Sequence, residues 1–421
     1  MRRLPWVAPA LLLTTLVVLP YRAVPVVGPF AGPVAGPSCH GKVATIVGTR
    51  GADRITGTNK ADVIVGRAGN DVIDGLKGND LICGGPGADR LEGGRGHDDL
   101  YGGLDLIVDG AGGTYLLGDI LTGGPGDDLL VGGADQRNAD SRRRPDTYSY
   151  ADSRRRVVID LSGKGSPGTG RATGAGTDTI MLGPAHGVTG SSHDDRIIGS
   201  PVRDRIDAGA GDDRIRAGKG ADQIYPDGFS GTEGSDRVEA GPGHDLVNSR
   251  SGRDQIRAGR GADFVEAFSE RPTVVQLGPG DDYLGQLITP GRGASASGAG
   301  GDDVVAFYAR LIAGQRPAAQ FTVNRGAGTT YASGAVETRG SVSGIERYRL
   351  VGPVRWRYVG SPVVDRVWAI TGGPLTARGG DGPDELTGSE LSDLLVGGAG
   401  TDTGYGNGGK DTCRSIERGA C

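Results

Sequence analysis

One aliphatic residue returns every nine positions through much of this chain, alone among polar and glycine neighbours. Ile55, Ile64, Ile73, Ile82, Leu91 and Leu100 form a first run, and Ile197, Ile206, Ile215, Ile224, Val238, Val247, Ile256 and Val265 a second. In each nine-residue unit the aliphatic side chain is at position eight, with outward residues at seven and nine. That pattern predicts a three-residue strand with one buried side chain. A strand so short is unstable alone and has to stack on copies of itself. No segment after the N-terminal leader shows a helical period over three turns, so the pattern predicts an all-β chain.

The polar side of the unit is as regular. Position six is Asp at Asp53, Asp62, Asp71, Asp80, Asp89 and Asp98, and glycines recur at positions one, two and four, as in Gly84-Gly85-Pro86-Gly87-Ala88-Asp89. Such glycines allow left-handed backbone angles and let carbonyls approach a ligand. If two units make one coil, residues eighteen apart stack at about 4.8 Å. Asp53 then lies over Asp71, and Asp62 over Asp80. Two carboxylates about 5 Å apart repel by roughly 3 kcal/mol at an effective dielectric near 20, less with screening. A divalent cation between coils removes that repulsion. Calcium, which takes 6–8 oxygens in adaptable geometry, suits carboxylates and turn carbonyls. Zinc and copper would call for His or Cys, which are absent from the repeat frame.

The frame Gly-Gly-x-Gly-x-Asp-x-aliphatic-x resembles the RTX, or haemolysin-type, calcium-binding repeat. The resemblance implies a parallel β-roll (β-helix or solenoid) with calcium ions between its turns, in blocks of nonapeptide repeats joined by β-rich spacers. The metal ligands it implies here are Asp53, Asp62, Asp71, Asp80, Asp89, Asp98 and Asp128 in the first block. In the second they are Asp195, Asp204, Asp213, Asp222, Asp236, Asp245, Asp254 and Asp263. In the third they are Asp384, Asp393, Asp402 and Asp411.

The phase of the repeat sets the expected organisation. Residues 1–37 read as a signal peptide and Pro/Gly-rich leader, 38–134 as the first roll block and 135–189 as a β-rich connector. Residues 190–282 form the second block, 283–360 an irregular β-rich spacer, and 361–421 the third block with a C-terminal Cys cap. Asp282 and Asp303 keep isolated turns. Within the connector, Asp146–Tyr150 and Val157–Leu161 look like strands. Second-block turns are degenerate: Ala208, Ala217 and Ala258 replace the first glycine, and Val202 the third. Arg196, Arg205, Arg214 and Arg237 stand at position seven, where Arg–Asp pairing is expected to replace the ion at some turns.

Composition narrows the class. Of 421 residues 80 are Gly, only 36% are hydrophobic and 5% aromatic, which suits a thin aliphatic column better than one large core. A net charge of −5 argues against nucleic acid as a partner. Met1-Arg2-Arg3 followed by the apolar stretch Leu4–Leu19 reads as an export signal, with no membrane span expected in the mature chain. The four cysteines suit an oxidising compartment. Three pairings exist; Cys39–Cys83 and Cys413–Cys421 are expected, closing the two ends of the stack.

Catalytic motifs are missing. There is no His-Glu-x-x-His and no Gly-x-Ser-x-Gly, and His97, His193 and His244 occupy repeat turns. Gly163-Lys164-Gly165-Ser166-Pro167-Gly168 matches a dinucleotide fingerprint, but the sequence after it will not make the required helix. Trp356 and Trp368 are expected to pack on strands. The sequence therefore reads as a secreted, extracellular calcium-binding repeat protein, not an enzyme, whose partners are calcium ions. Its rivals are an adhesin presenting connectors and the runs Arg142–Arg144 and Arg154–Arg156 to a cell surface or polysaccharide, and a hydrolase with its site in the spacers.

Overall fold

The computed structural model describes residues 36–105, 107–110, 113–116, 118–133, 145–163, 168–228, 234–288, 295–310, 320–333 and 338–421. The leader expected over 1–37, except its last two residues, lies outside them, as do Arg142–Arg144 and the middle of the Gly163–Gly168 fingerprint. Among the described residues all regular structure is strand, and no helix is long and apolar enough to cross a membrane.

The chain winds as a β-solenoid of about 17 coils. Each regular coil gives one strand to each of two parallel sheets. The first sheet runs from Arg54–Thr56 to Arg418–Ala420, and the second from Ile46–Val47 to Thr412–Arg414. Both ladders are open: each end strand pairs with one neighbour only. In the regular coils the register is eighteen residues, so Ile55 lies on Ile73, and Ile64 on Ile82. The position-eight side chains of both runs are buried. They form one column between the sheets, and the turns at either side carry the polar chemistry.

Two insertions interrupt this rhythm without breaking it. In the second sheet, Val158–Asp160, Thr169–Thr173 and Thr177–Met181 form an antiparallel meander. Its last strand pairs with Leu129–Gly133 and its first with Arg196–Ile198, both in parallel. Gln320–Asn324, Thr329–Ser333 and Thr338–Ser343 repeat the device. The second sheet thus has 21 strands against 17 in the first, among the described residues. Each meander adds two strands to one sheet only, and the extra interior is filled by aromatic side chains. Tyr148 and Tyr150 are buried beside the first meander. Phe307, Phe321, Tyr348, Trp356 and Tyr358 are buried beside the second, with Phe321 and Trp356 edge to face at 5.5 Å. Trp356 is therefore core; Trp368 is half-buried.

The ends are closed differently. Ser38–Cys39 and Lys42–Val43 form a hairpin whose Cys39 is bonded to Cys83, on the outer side of Leu81–Pro86. His40 stacks on Tyr101 at 3.6 Å. That bridge pins the hairpin to the flank of the second sheet. At the other end Cys413 is bonded to Cys421 across the final coil. Gly404 stands where an aliphatic residue belongs, and Ile416 fills the gap: a Cβ on Gly404 would meet Ile416 at 3.0 Å.

Candidate metal centres

The position-six aspartates stack in two columns, one on each side of the solenoid. In both, Oδ1 accepts the backbone N–H of the position-six residue one coil earlier. Asp53 N to Asp71 Oδ1 is 2.8 Å, and Asp71 N to Asp89 Oδ1 is 2.7 Å. Asp204 N to Asp222 and Asp384 N to Asp402 repeat the bond at 2.8 and 2.9 Å. This bond fixes the carboxylate and leaves Oδ2 to be satisfied separately. How that is done divides the turns into two kinds.

In most turns whose position two carries no hydroxyl (Gly as a rule, but Arg67 before Asp71, Leu76 before Asp80 and Ala299 before Asp303), Oδ2 is buried without a hydrogen-bond partner in the protein. That holds for Asp71, Asp80, Asp89, Asp98, Asp128, Asp213, Asp222, Asp245, Asp263, Asp282, Asp303, Asp384 and Asp402. Asp236, whose turn is only partly described, has the same orphan oxygen. Burial disfavours the charged form and pushes Asp89 and Asp128 up to about 7, against the backbone N–H each accepts; charges on other aspartates add to the rise. Asp213 is raised to about 9, and Asp222 and Asp236 to about 8, for the same reasons. The first glycine keeps open the space beside Oδ2. A Cβ on Gly66 would lie 2.5 Å from Asp71 Oδ2 and 2.7 Å from the Gly84 carbonyl. A carboxylate oxygen and a carbonyl of the next coil thus converge there. At Ala208, Ala217, Ala240 and Ala258 the equivalent position carries a methyl group.

In the other kind of turn, position two is Ser or Thr and satisfies Oδ2 internally. Thr58 donates to Asp62 Oδ2 from its N–H at 2.7 Å and from its hydroxyl at 2.8 Å. Thr49 does the same for Asp53. Ser191, Ser200 and Ser389 donate an N–H to Oδ2 of Asp195, Asp204 and Asp393, and a hydroxyl to Oδ1. Ser361 supports Asp365 likewise through its N–H at 2.8 Å. These turns come first after each break in a column. Asp53 and Asp62 begin the columns and Asp195 follows the first meander. Asp204 follows His186, Asp365 follows Glu346, and Asp393 follows Leu375.

Some positions hold an internal cation or donor in the carboxylate column. His186 occupies the register position between Asp146 and Asp204, with Nδ1 2.9 Å from Asp204 Oδ1 in a buried pair. Arg325 reaches Asp365 Oδ1 at 2.7 Å, where Tyr358 also donates at 2.6 Å. This arginine–aspartate pair is not at any of the position-seven arginines for which pairing is expected. On the outer face Arg237 instead approaches Glu239, as do Arg216 and Arg257. His97 and His244 serve an outer ladder: their Nδ1 atoms accept the N–H of Asp127 and Ala262 at 3.1 and 3.0 Å.

The columns include further residues that lie outside the glycine-rich frame or off its spacing. Asp119, Asp146 and Asp178 accept from Asp89, Asp119 and Asp128 across loops and the first meander. Asp365, Glu346 and Glu417 also stand in the columns. The triplet Asp-x-aliphatic or Asp-x-aromatic, as in Asp119-Ile120-Leu121 and Asp146-Thr147-Tyr148, marks most of them, and the turns of Asp119 and Asp146 have no glycine at positions one, two or four. Among the described residues, two places gather three carboxylates whose oxygens lie within 4.8 Å of one another: Asp105 with Asp119 and Asp146, and Asp227 with Asp236 and Asp254.

The donor set is all oxygen, buried and partly unpartnered, and it fits a hard cation such as calcium. Residues 47–82, 83–105, 118–136, 189–224, 230–265 and 378–413 match the RTX calcium-binding nonapeptide repeat, a family unit of four copies. No curated protein matches the chain.

Proposed function

From a chain that carries RTX calcium-binding nonapeptide repeats on a β-solenoid, we infer a secreted protein whose activity is to bind several calcium ions and to fold as it does so. The observation that carries this reading is the ladder of buried Oδ2 atoms without protein partners along the two columns. A buried ionised oxygen needs a compensating charge or a proton. Calcium supplies that charge, and its binding free energy is added to folding. Low cytoplasmic calcium would leave the chain loosely folded, and millimolar calcium outside the cell would lock it.

The ions are assigned to the turns whose Oδ2 has no protein partner, with Asp71, Asp80, Asp89, Asp98, Asp128, Asp384 and Asp402 as leading ligands and the alanine-bearing turns of Asp213, Asp222, Asp245 and Asp263 as weaker ones. The turns of Asp53, Asp62, Asp195, Asp204 and Asp393 carry their own hydrogen bonds and start each run without an ion. No catalytic step is assigned to the chain. Calcium uptake by equilibrium dialysis tests the reading. It predicts several ions per chain at millimolar calcium, retained against excess magnesium. A chain that takes up none overturns it.

A further inference from the structure

Five residues inserted between two nonads bring an extra carboxylate to the turn column. Asp222 and Asp236 are fourteen apart, and the backbone-to-carboxylate register across the insertion is 23 residues, with Asp213 N to Asp236 Oδ1 at 2.8 Å. Asp227 lies in this insertion. The next coil fixes its carboxylate: Oδ2 accepts the N–H of Arg250 at 2.8 Å and of Ser251 at 3.2 Å, and Oδ1 the Ser251 hydroxyl at 2.5 Å. These bonds hold it against Asp236 and Asp254. All three residues are 1% exposed, with oxygens within 4.8 Å of one another.

The second observation lies in Asp236. Its Oδ1 is used by Asp213, and its Oδ2 is buried with no partner in the protein. Asp254 is held on both oxygens, by Asp236 N at 2.9 Å and by the Ser249 hydroxyl at 2.5 Å. The nearby arginines face elsewhere: Arg250 donates its guanidinium to Asn248 at 2.9 Å, and Arg253 is exposed.

We propose that Asp227, Asp236 and Asp254 form a divalent-cation site that binds calcium more tightly than the regular turns, with Asp227 as a ligand from outside the repeat. Three fixed carboxylates offer more charge than a stacked pair, and affinity of oxygen sites rises with ligand charge and rigidity. The donors are all hard oxygens, so calcium is favoured over zinc or copper. The proposal rests on the reading that the regular repeat turns with an unpartnered Oδ2 take calcium, and adds one site to it.

The test is calcium titration calorimetry of the full chain, wild type against Asp227→Asn, with Asp245→Asn as the regular-turn control. The proposal predicts that Asp227→Asn removes one ion from the tightest class, or weakens it at least tenfold, while Asp245→Asn leaves that class intact. If wild type binds several ions and Asp227→Asn gives the same isotherm, the proposal fails and the general reading stands. If wild type binds none, both fail. Should the variant not fold, a crystal structure of the calcium-loaded wild type decides. An ion within about 2.3–2.6 Å of a carboxylate oxygen of Asp227 supports the site. Ions in the regular repeat turns with none on Asp227 overturn it.

Discussion

At the scale of single residues, the account turns on what satisfies the second carboxylate oxygen of each position-six aspartate. Gly66 and Ser200 test the two answers. Alanine at Gly66 would crowd Asp71 Oδ2 and the Gly84 carbonyl, and overpacking of this kind costs about 1–3 kcal/mol. The expected result is a lower melting temperature together with weaker calcium binding. Ser200→Ala removes the hydroxyl that donates to Asp204 at 2.9 Å. Losing a hydrogen bond to a charged group should cost about 1.5–3 kcal/mol, by the same amount with and without calcium, as measured by denaturant unfolding. A loss confined to the calcium-loaded state would contradict the assignment of Asp204 to a self-satisfied turn. The sequence made the aspartate column legible because period and residue type coincide. It did not distinguish Asp53 or Asp204 from Asp89, because that difference lies in a hydroxyl four residues upstream.

At the scale of elements, the three-residue strands follow from one aliphatic residue per nonad, and that was readable wherever the phase held. The places of Asp178 and Asp365 in the columns were not readable, because the spacing changes while the ladder continues in space, nor were those of Asp119 and Asp146, nine before and eighteen after Asp128, because their turns lack the glycine frame. Phe321–Tyr358 alternates like a plain sheet because part of it is one: an antiparallel meander spliced into a parallel ladder. Alternation alone carries no information on which neighbour a strand joins. The aromatic residues mark where the interior widens. Trp356→Ala should cost about 3–5 kcal/mol, because Trp356 is buried against Phe321 and its Nε1 donates to the Gly352 carbonyl at 3.3 Å. Thermal unfolding followed by near-ultraviolet circular dichroism would report it. A shift no larger than that of an exposed substitution would argue against a packed wedge.

At the scale of the whole molecule, the solenoid carries many carboxylates whose ionisation opposes folding. Burial raises Asp89, Asp128, Asp245, Asp303 and Asp384 to about 7, and Asp222 and Asp236 to about 8. In the unfolded chain an aspartate titrates near 3.9. A raised folded value favours the folded state fully below about pH 4, and that contribution is lost as pH rises through the folded values. The metal-free chain should therefore melt at a higher temperature near about pH 5 than near about pH 8. Calcium should reverse the trend, because its ligands must be deprotonated. Scanning calorimetry of metal-free and calcium-loaded protein at both pH values checks the sign. The most direct test of ion-linked folding is far-ultraviolet circular dichroism of the full chain at neutral pH, titrated with calcium, then chelator, with magnesium as control. The account predicts a cooperative gain of β-structure on calcium addition, lost on chelation and not produced by magnesium. A chain with the same β-signal in chelator as in calcium would contradict it, and would place the stability of the solenoid in its hydrogen-bonded turns and aromatic wedges instead.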